Sequence, residues 1–276
     1  MLALPAAGNA ARRARRIATA SLCCTLLLLA MGSARTARST PVDGSGEPSS
    51  GVASVESAPV SAILELFTSQ GCASCPPADA LFKSYVDRKD IVALSLPVDY
   101  WDYLGWKDTL ASAKNSERQR AYAKARGDGA VYTPQVVVNG LAHAVGSDAA
   151  AIERQIARTT MEFDRQRVAM RFWRASNMLI VEAAAAPAGV KAEATVWIAA
   201  VQRVAEVMIT KGENHGQTLK YYNVVEQLTP VGMWNGKELR LQLASQAFVR
   251  PGTYRYAVLM QQGAAGPIIG AAWLGG

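Results

Sequence analysis

The chain has 276 residues and half of them are apolar, so it is long enough for more than one compact domain and too apolar for wholesale disorder. Four of its 29 Lys and Arg residues are arginines within the first 33 residues, which contain no acid, so the rest of the chain has 25 basic and 22 acidic residues and a net charge of only +3. Because no basic stripe follows, we expect no nucleic-acid partner.

The first segment of the chain has the pattern of an export signal. Four arginines between positions 12 and 16 precede an apolar run of 15 residues from Ile17 to Met31, and small residues follow. This run is short for a membrane span, which needs about 20 residues. We therefore predict a signal peptide over residues 1–33, with a retained membrane anchor as the alternative. Residues 34–59 are rich in Ser, Gly, Pro, Ala and Val, which predicts a flexible linker.

Export would leave the mature chain with one pair of cysteines and would place the protein in the periplasm or outside the cell. Cys23 and Cys24 lie in the signal segment, so only Cys72 and Cys75 remain after cleavage. A disulfide that spans two intervening residues removes little entropy from the unfolded chain, so a functional role is favoured over a bracing one. With only two histidines in the chain, two thiolates make no recognisable zinc site, and we predict no metal ligand.

Residues 60–164 alternate between strand and helix patterns. Pro76 and Pro77 fit the first turn of a helix, where no intrahelical donor is lost, and Asp79 lies in an early turn, where the helix dipole favours an acid. The pair Asn139-Gly140 predicts a tight hairpin. The predicted elements are a strand at Ala62–Phe67, a helix at Cys75–Arg88, a strand at Ile91–Val98, a polar helix around Ser116–Arg126, a strand at Val131–Val138, a strand at Leu141–Val145, and a helix capped by Ser147 or Asp148.

The segment after the second strand is too aromatic for an ordinary solvated loop. It follows a strand, so it lies at the same end of the sheet as the cysteines. Asp99, Tyr100 and Trp101 are therefore candidates for the wall of a substrate site. Packing and capping are the alternative roles for these three residues.

Residues 165–276 predict strands without a long helix. Turn signals separate the strands, which is typical of an antiparallel β-sandwich. We therefore predict a second domain over residues 165–276. The predicted strands are Val168–Arg174, Met178–Glu182, Lys191–Val201, Ala205–Lys211, Leu219–Glu226, Lys237–Leu243, Thr253–Gln261 and Ile268–Leu274.

Several motifs in order carry a resemblance to a known family. They are LELFTSQGCASCPPAD at residues 64–79, VDYWDYLGWKD at residues 98–108 and YTPQ at residues 132–135. With these motifs the chain resembles a family of exported bacterial thioredoxin-like proteins of unknown function, over about residues 60–275. The resemblance implies a thioredoxin-like fold for residues 60–164, followed by the β-sandwich. It also implies that Pro134 is cis and faces the cysteine pair, with Thr133 offering backbone groups to an extended substrate. A trans proline on an edge strand is the alternative.

The cysteine pair predicts thiol–disulfide chemistry. Cys72 is at the amino end of a helix, where partial positive charge stabilises a thiolate, so it is the better nucleophile. Cys75 would resolve the mixed disulfide. We predict a thiol–disulfide oxidoreductase that acts on protein or small-molecule thiols and disulfides and needs no cofactor, because the dithiol itself carries two electrons. A scaffold that binds a soft metal such as Cu(I), and a structural interaction module with an inert bridge, remain the alternatives.

Three other polar residues have weaker assignments. In thioredoxins an acid six residues before the first cysteine helps to move the proton of the resolving thiol, and Glu65 lies seven residues before Cys72. A buried Glu65 would suit proton transfer, whereas a solvent-facing or ion-paired acid is the alternative. Asn214 and His215 are expected in a turn of the second domain, with a contribution to the cysteine cleft as the alternative.

Overall fold

The computed structural model describes residues 59–248 and 255–275, which form eleven strands and three α-helices. The predicted signal peptide and all but the last residue of the predicted linker lie outside the described residues. In the part of the chain that is described, no helix is both long and apolar enough to cross a membrane. The elements are β1 Ala62–Thr68, α1 Pro76–Val86, β2 Ile91–Pro97, a 3-10 helix at Asp102–Leu104, α2 Ala113–Arg126, β3 Gln135–Val138, β4 Ala142–Val145, α3 Ala149–Gln166, β5 Met170–Ala175, β6 Met178–Ala183, β7 Ala194–Met208, β8 Thr218–Trp234, β9 Leu239–Ala244, β10 Arg255–Gln261 and β11 Ile268–Trp273.

The strands form a large mixed sheet and a second, antiparallel sheet. The large sheet has eight strands in the order β11-β10-β7-β8-β2-β1-β3-β4, and the second has three in the order β5-β6-β9. β1 is parallel to β2 and antiparallel to β3, and β8 is parallel to β2. The fold is therefore mixed α/β, as the sequence predicts at this level.

The large sheet continues from the α/β part of the chain into the later strands. β8 joins the edge of β2 where Val224 lies opposite Ser95, the Ser95 hydroxyl donates to the carbonyl oxygen of Tyr222 (2.7 Å), and the Asn223 amide donates to that of Ala93 (2.9 Å). The described residues all belong to one compact unit. The chain passes from helices to strands at the end of α3, close to the predicted boundary, but the sheet does not end there.

The two faces of β1 contact different helices. Leu64 and Leu66 pack with Phe82 of α1 and Ile152 of α3 on one face. On the other face, Ile63 and Phe67 pack in a core that contains Tyr122 of α2. Because side chains alternate along a strand, every second residue of β1 faces the same helices. This alternation decides where each polar residue near the cysteines points.

The later strands pack as two layers. Val181 and Leu179 of the three-stranded sheet share a core with Val196 of β7 and Val258 of β10. The two predicted strands Lys191–Val201 and Ala205–Lys211 are a single strand, β7, so that prediction was wrong. The pairing between β7 and β8 shifts register between Ala200 and Val201 and then continues through the polar residues, which in the sequence had suggested a turn between two strands.

Three local predictions are confirmed. Asn139 and Gly140 both have positive φ, at 52° and 69°, as a hairpin turn between β3 and β4 requires. Asp148 caps α3, because its carboxylate accepts from the amide of Ala151 at 2.8 Å. The Thr133–Pro134 peptide bond is cis.

Candidate functional site

The cysteine pair lies in the turn that joins β1 to α1. Cys72 and Cys75 form a disulfide, Cys75 occupies the N-cap position of α1, and its amide donates to the carbonyl oxygen of Cys72 (3.1 Å). Pro76 and Pro77 occupy the first two helical positions. They remove two of the N–H groups that a helix amino end usually presents. Any stabilisation of a Cys72 thiolate therefore depends on the helix dipole more than on free donors of the first turn.

The disulfide is covered by protein. Cys72 is 2% exposed and Cys75 is fully buried, whereas Ala73 and Ser74 between them are exposed. The Ser74 hydroxyl lies 3.4 Å from the Cys72 sulfur. A partner that attacks the disulfide must therefore displace this exposed tip or one of its neighbours.

Two polar side chains hold the backbone of the cysteine turn. The Asp108 carboxylate accepts from the amide of Gln70 at 2.8 Å. Asn214, which follows β7, donates to the carbonyl oxygens of Gln70 (2.9 Å) and Cys72 (3.0 Å). The later strands thus contribute directly to the site, as the alternative for Asn214 foresaw. His215 is exposed.

The side chain of Gln70 ties the aromatic segment to the same turn. Its amide oxygen accepts from the indole of Trp106 (2.8 Å) and from the backbone amide of Thr109 (3.3 Å). Gln70 is fully buried, so these bonds are shielded from water. The aromatic segment is therefore an ordered part of the wall beside the disulfide.

Trp101 and Thr133, two predicted substrate-binding residues, are in contact. The indole of Trp101 donates to the Thr133 hydroxyl at 2.8 Å. A side chain at Gly71 would place its Cβ 3.0 Å from the Cβ of Trp101, so the glycine allows the ring to approach the residue before Cys72. Tyr103 stacks on Trp101 with an interplanar angle of 16° and is 77% exposed. These residues form an aromatic ledge beside the disulfide.

Pro134 lies against the first turn of α1. A Cβ at Gly146 would approach Pro134 and Leu66 to 3.0 Å each and Ala78 to 3.2 Å. The amide of Gly146 also donates to the Pro134 carbonyl oxygen at 2.9 Å. Pro134 and the first turn of α1 therefore lie close together on either side of Gly146.

Tyr100 and Asp99, the other predicted wall residues, contact α2. The Tyr100 hydroxyl donates to the side-chain oxygen of Gln119 at 3.1 Å, and burial raises the pKa of Tyr100. The Asp99 carboxylate accepts from the Ser116 hydroxyl. These contacts anchor the aromatic segment to α2, and the role of Tyr100 and Asp99 in binding a substrate stays a prediction.

Glu65 is buried in an ion pair on the face of β1 opposite to α1. Its carboxylate accepts from Arg118 at 2.7 and 3.2 Å and from the Tyr122 hydroxyl. Glu65 and Arg118 are 1% and 9% exposed. The ion-paired alternative is therefore the observed arrangement, and Leu66, not Glu65, faces α1. The spacing of seven residues between Glu65 and Cys72 does not bring Glu65 to the side of α1, because the alternation of side chains along β1 fixes the face.

Asp79 is the acid that α1 buries behind the cysteines. It is 4% exposed, and neither of its oxygens has a partner in hydrogen-bonding geometry among the described residues. Burial raises the pKa of Asp79 well above its ordinary value, the Thr68 hydroxyl lowers it, and the charge of Asp108 raises it further. The position of Asp79 in an early helical turn predicted only an interaction with the helix dipole. Its spacing of four residues from Cys75 was the signal that could have placed it beside the cysteines.

Among the described residues, no group of three or more His, Cys, Asp and Glu side chains is arranged to hold a metal ion.

Comparison with known proteins adds a family and two similar structures. Residues 63–261 match the family described as "Protein of unknown function (DUF1223)". No curated protein matches the chain. The crystal structure of protein AGR_C_4864 from Agrobacterium tumefaciens is 34% identical and has a TM-score of 0.68, over 79% of this chain and 95% of that one. HBP35 of Porphyromonas gingivalis is 12% identical with a TM-score of 0.51, over 78% and 74%, which is a likeness of fold alone.

Proposed function

Since the chain belongs to the DUF1223 family of proteins of unknown function, we propose from its geometry that it is a thiol–disulfide oxidoreductase. The observation that carries this proposal is the Cys72–Cys75 disulfide at the junction of β1 and α1, whose turn is held by Asp108 and Asn214 from distant parts of the chain. A bridge with two intervening residues contributes little to stability. Because side chains from distant parts of the chain hold the turn of a bridge that itself adds little stability, a chemical role for the cysteine pair is favoured.

We assign a thioredoxin-like fold to residues 60–164. The support is the strand order β2-β1-β3-β4 with β3 antiparallel, two helices on one face of the sheet and one on the other, and a proline directly before β3. In this arrangement the cysteines follow the end of β1 and Thr133-Pro134 precede the start of β3, and these two strand ends are adjacent because Phe67 pairs with Gln135. We propose a β-sandwich for the later strands, supported by their two-layer packing.

The proposed reaction is a two-electron exchange. In the reduced protein, the Cys72 thiolate attacks one sulfur of a partner disulfide, forms a mixed disulfide and releases the partner's other sulfur as a thiolate. The Cys75 thiolate then attacks the Cys72 sulfur, closes the internal disulfide and releases the second partner thiolate. The partner gains two electrons and the protein loses two. The reverse sequence oxidises a partner dithiol.

The proposed partners are protein or small-molecule thiols and disulfides. Trp101, Tyr103 and Thr133 form the aromatic ledge beside Cys72, where an extended peptide would lie. The amino-terminal pattern supports export, so we place the reaction in the periplasm or outside the cell, where disulfides persist.

Trapping of a mixed disulfide tests this function. The Cys75→Ser variant, with Cys23 and Cys24 also replaced by serine, should form a stable one-to-one adduct with oxidised glutathione at Cys72, detected by mass spectrometry. The matched Cys72→Ser variant should form far less adduct, because Cys75 is fully buried at the start of α1, whereas Cys72 adjoins the exposed tip Ala73-Ser74.

A different result would overturn the proposal. If neither variant forms the adduct in the folded state, and the reduced parent binds Cu(I) tightly through both thiolates, the protein is a metal-binding scaffold instead. If the protein forms no glutathione adduct and binds no Cu(I), the disulfide has only a structural role.

A further inference from the structure

Three buried polar side chains lie together behind the cysteine turn, between α1 and β8. They are Asp79 of α1, Thr68 at the end of β1 and Tyr221 of β8, and each is at most 4% exposed. None of their side-chain oxygens has a partner in strict hydrogen-bonding geometry among the described residues. The Thr68 hydroxyl is nevertheless close enough to Asp79 to lower its pKa, and Asp79 is close enough to Tyr221 to raise the pKa of that tyrosine. Buried polar groups in folded proteins are nearly always paired, so this cluster requires an explanation.

Asp79 is one helical turn from the resolving cysteine. Its amide donates to the carbonyl oxygen of Cys75 at 3.1 Å, and the Cys75 backbone is already helical, with φ −79° and ψ −36°. Side chains four residues apart on a helix lie on the same face, with Cβ atoms about 5–6 Å apart. This spacing allows a carboxyl to reach the Cys75 sulfur directly or through one water molecule.

Cys75 is shielded from bulk water. It is fully buried, and burial disfavours the charged thiolate. When the disulfide opens, the electron pair of the broken bond goes to the Cys75 sulfur, which then needs a proton from inside the protein. Asp79 is the acid on the same side of α1, whereas Glu65 is ion-paired on the opposite face of β1.

We propose that Asp79 donates the proton to Cys75 when the disulfide opens and takes it back when the disulfide closes. This inference rests on the proposed function and extends it by one residue.

The proton transfers balance in both directions. An incoming thiolate bonds to the Cys72 sulfur, the Cys72–Cys75 bond breaks, and Asp79 in its acid form protonates the Cys75 thiolate. In the closing direction, the Asp79 carboxylate removes the proton from the Cys75 thiol. The resulting thiolate attacks the Cys72 sulfur and expels the partner as a thiolate.

The surroundings of Asp79 suit this role. Burial raises its pKa, so the acid form persists to a higher pH than for an exposed aspartate. The neighbouring Asp108 adds a like charge. Tyr221, whose own pKa is raised by burial and then by Asp79 and Asp108, stays neutral and faces the cluster from β8. Thr68 favours the ionised form.

The first test measures the ionisation of Cys75. In a Cys72→Ser background without Cys23 and Cys24, thiolate absorbance reports the titration of Cys75 alone. We expect Asp79→Asn to move this titration to lower pH, because a negative charge near the thiolate is removed. The matched control is Asp87→Asn, an exposed acid at the other end of α1, which should not move it.

The second test measures the rate of disulfide closure. Reduced protein with Cys72 and Cys75 intact is mixed with excess oxidised glutathione, quenched with acid and analysed by mass spectrometry across the pH range. We expect Asp79→Asn to slow closure at least about tenfold near neutral pH, so that the glutathione adduct accumulates. A lower ionisation pH combined with slower closure distinguishes proton transfer from a simple change in thiolate fraction.

Two results would overturn the inference. One is a Cys75 titration that Asp79→Asn leaves in place. The other is closure that speeds up with the larger thiolate fraction. Asp79→Ala serves as the second variant if Asp79→Asn does not fold. Failure of the proposed function looks different, because the parent itself would then form no glutathione adduct, while the Cys75 titration would still report whether Asp79 is close.

Discussion

At the scale of single residues, the structure separates two buried acids that the sequence could not separate. Glu65 and Asp79 are both almost inaccessible, but Glu65 has Arg118 and Tyr122 as partners, whereas no residue in the described part of the chain is in hydrogen-bonding geometry with the Asp79 carboxyl. Residue type and spacing do not reveal partners that arrive from α2, 53 residues further along the chain. Removing one partner of a buried ion pair destabilises the fold, whereas an unpaired buried acid reduces stability and is a candidate for a functional site.

The difference in stability between the parent and Asp79→Asn should depend on pH. The pKa of Asp79 is raised in the folded protein, so its contribution to stability is intact at acidic pH and is lost as the pH rises through the folded pKa. We therefore expect the unfolding free energy of the variant, relative to that of the parent, to increase by about 1–3 kcal/mol from acidic to mildly alkaline pH. Urea unfolding of both oxidised proteins at the two pH values measures the difference. An unchanged difference would mean that Asp79 does not titrate abnormally.

Arg118→Met should destabilise the protein strongly. It leaves the Glu65 carboxylate buried at 1% exposure without its cation, which costs about 3–5 kcal/mol of unfolding free energy. The double variant Glu65→Leu/Arg118→Met should recover most of that loss, because it buries no charge. Urea unfolding compares the three proteins. A loss below about 1 kcal/mol in the single variant would show that the pair is not buried as described.

At the scale of elements, periodicity predicted the helices and most strands, and it failed where pairing overrides local pattern. β7 is one strand of 15 residues because β8, with 17, pairs along its length. The polar residues in the middle of β7 resemble a turn in the sequence, but in the structure they are mostly exposed and remain paired with β8. The first turn of α1 was predicted from its prolines, since their effect is local. The burial of Asp79 was not, since it depends on β8.

Pro77 offers a test of how the helix end acts on Cys72. Pro77→Ala restores an N–H group at the second helical position. A helix-end donor or dipole contributes about 0.3–1 kcal/mol to a nearby anion, so we expect the Cys72 thiolate in the reduced protein to react about two to five times faster with iodoacetamide at mildly acidic pH. Pro187→Ala, in the turn between β6 and β7, is the control. An unchanged rate would place the Cys72 sulfur outside the field of α1.

Asn214 should restrain the cysteine turn. Asn214→Ala removes two hydrogen bonds, of 2.9 and 3.0 Å, from buried carbonyl oxygens of Gln70 and Cys72. We expect a loss of about 1–3 kcal/mol in unfolding free energy and faster reduction of the disulfide by dithiothreitol. His215→Ala, at the exposed neighbouring position, should change neither. Reduction at the parental rate in Asn214→Ala would show that this contact does not limit access.

At the scale of the whole molecule, the later strands are part of the site. The sequence indicated the change from helices to strands near residue 165, because composition and periodicity change there. It could not indicate that β8 extends the first sheet at Ser95, or that Asn214 reaches the cysteine turn. Such pairings join residues more than 100 positions apart and leave no local pattern. The proposed function therefore belongs to the described unit as a whole and not to the α/β part alone.

The most direct test of the account is the equilibrium of the Cys72–Cys75 pair with glutathione. The folded protein, with Cys23 and Cys24 replaced by serine, is equilibrated over a series of glutathione redox buffers, and the oxidised fraction is read by thiol alkylation and mass spectrometry. We predict one reversible two-electron transition, reached from both the oxidised and the reduced protein, which yields a reduction potential. A disulfide that stays closed in every buffer until the protein is unfolded would contradict the account.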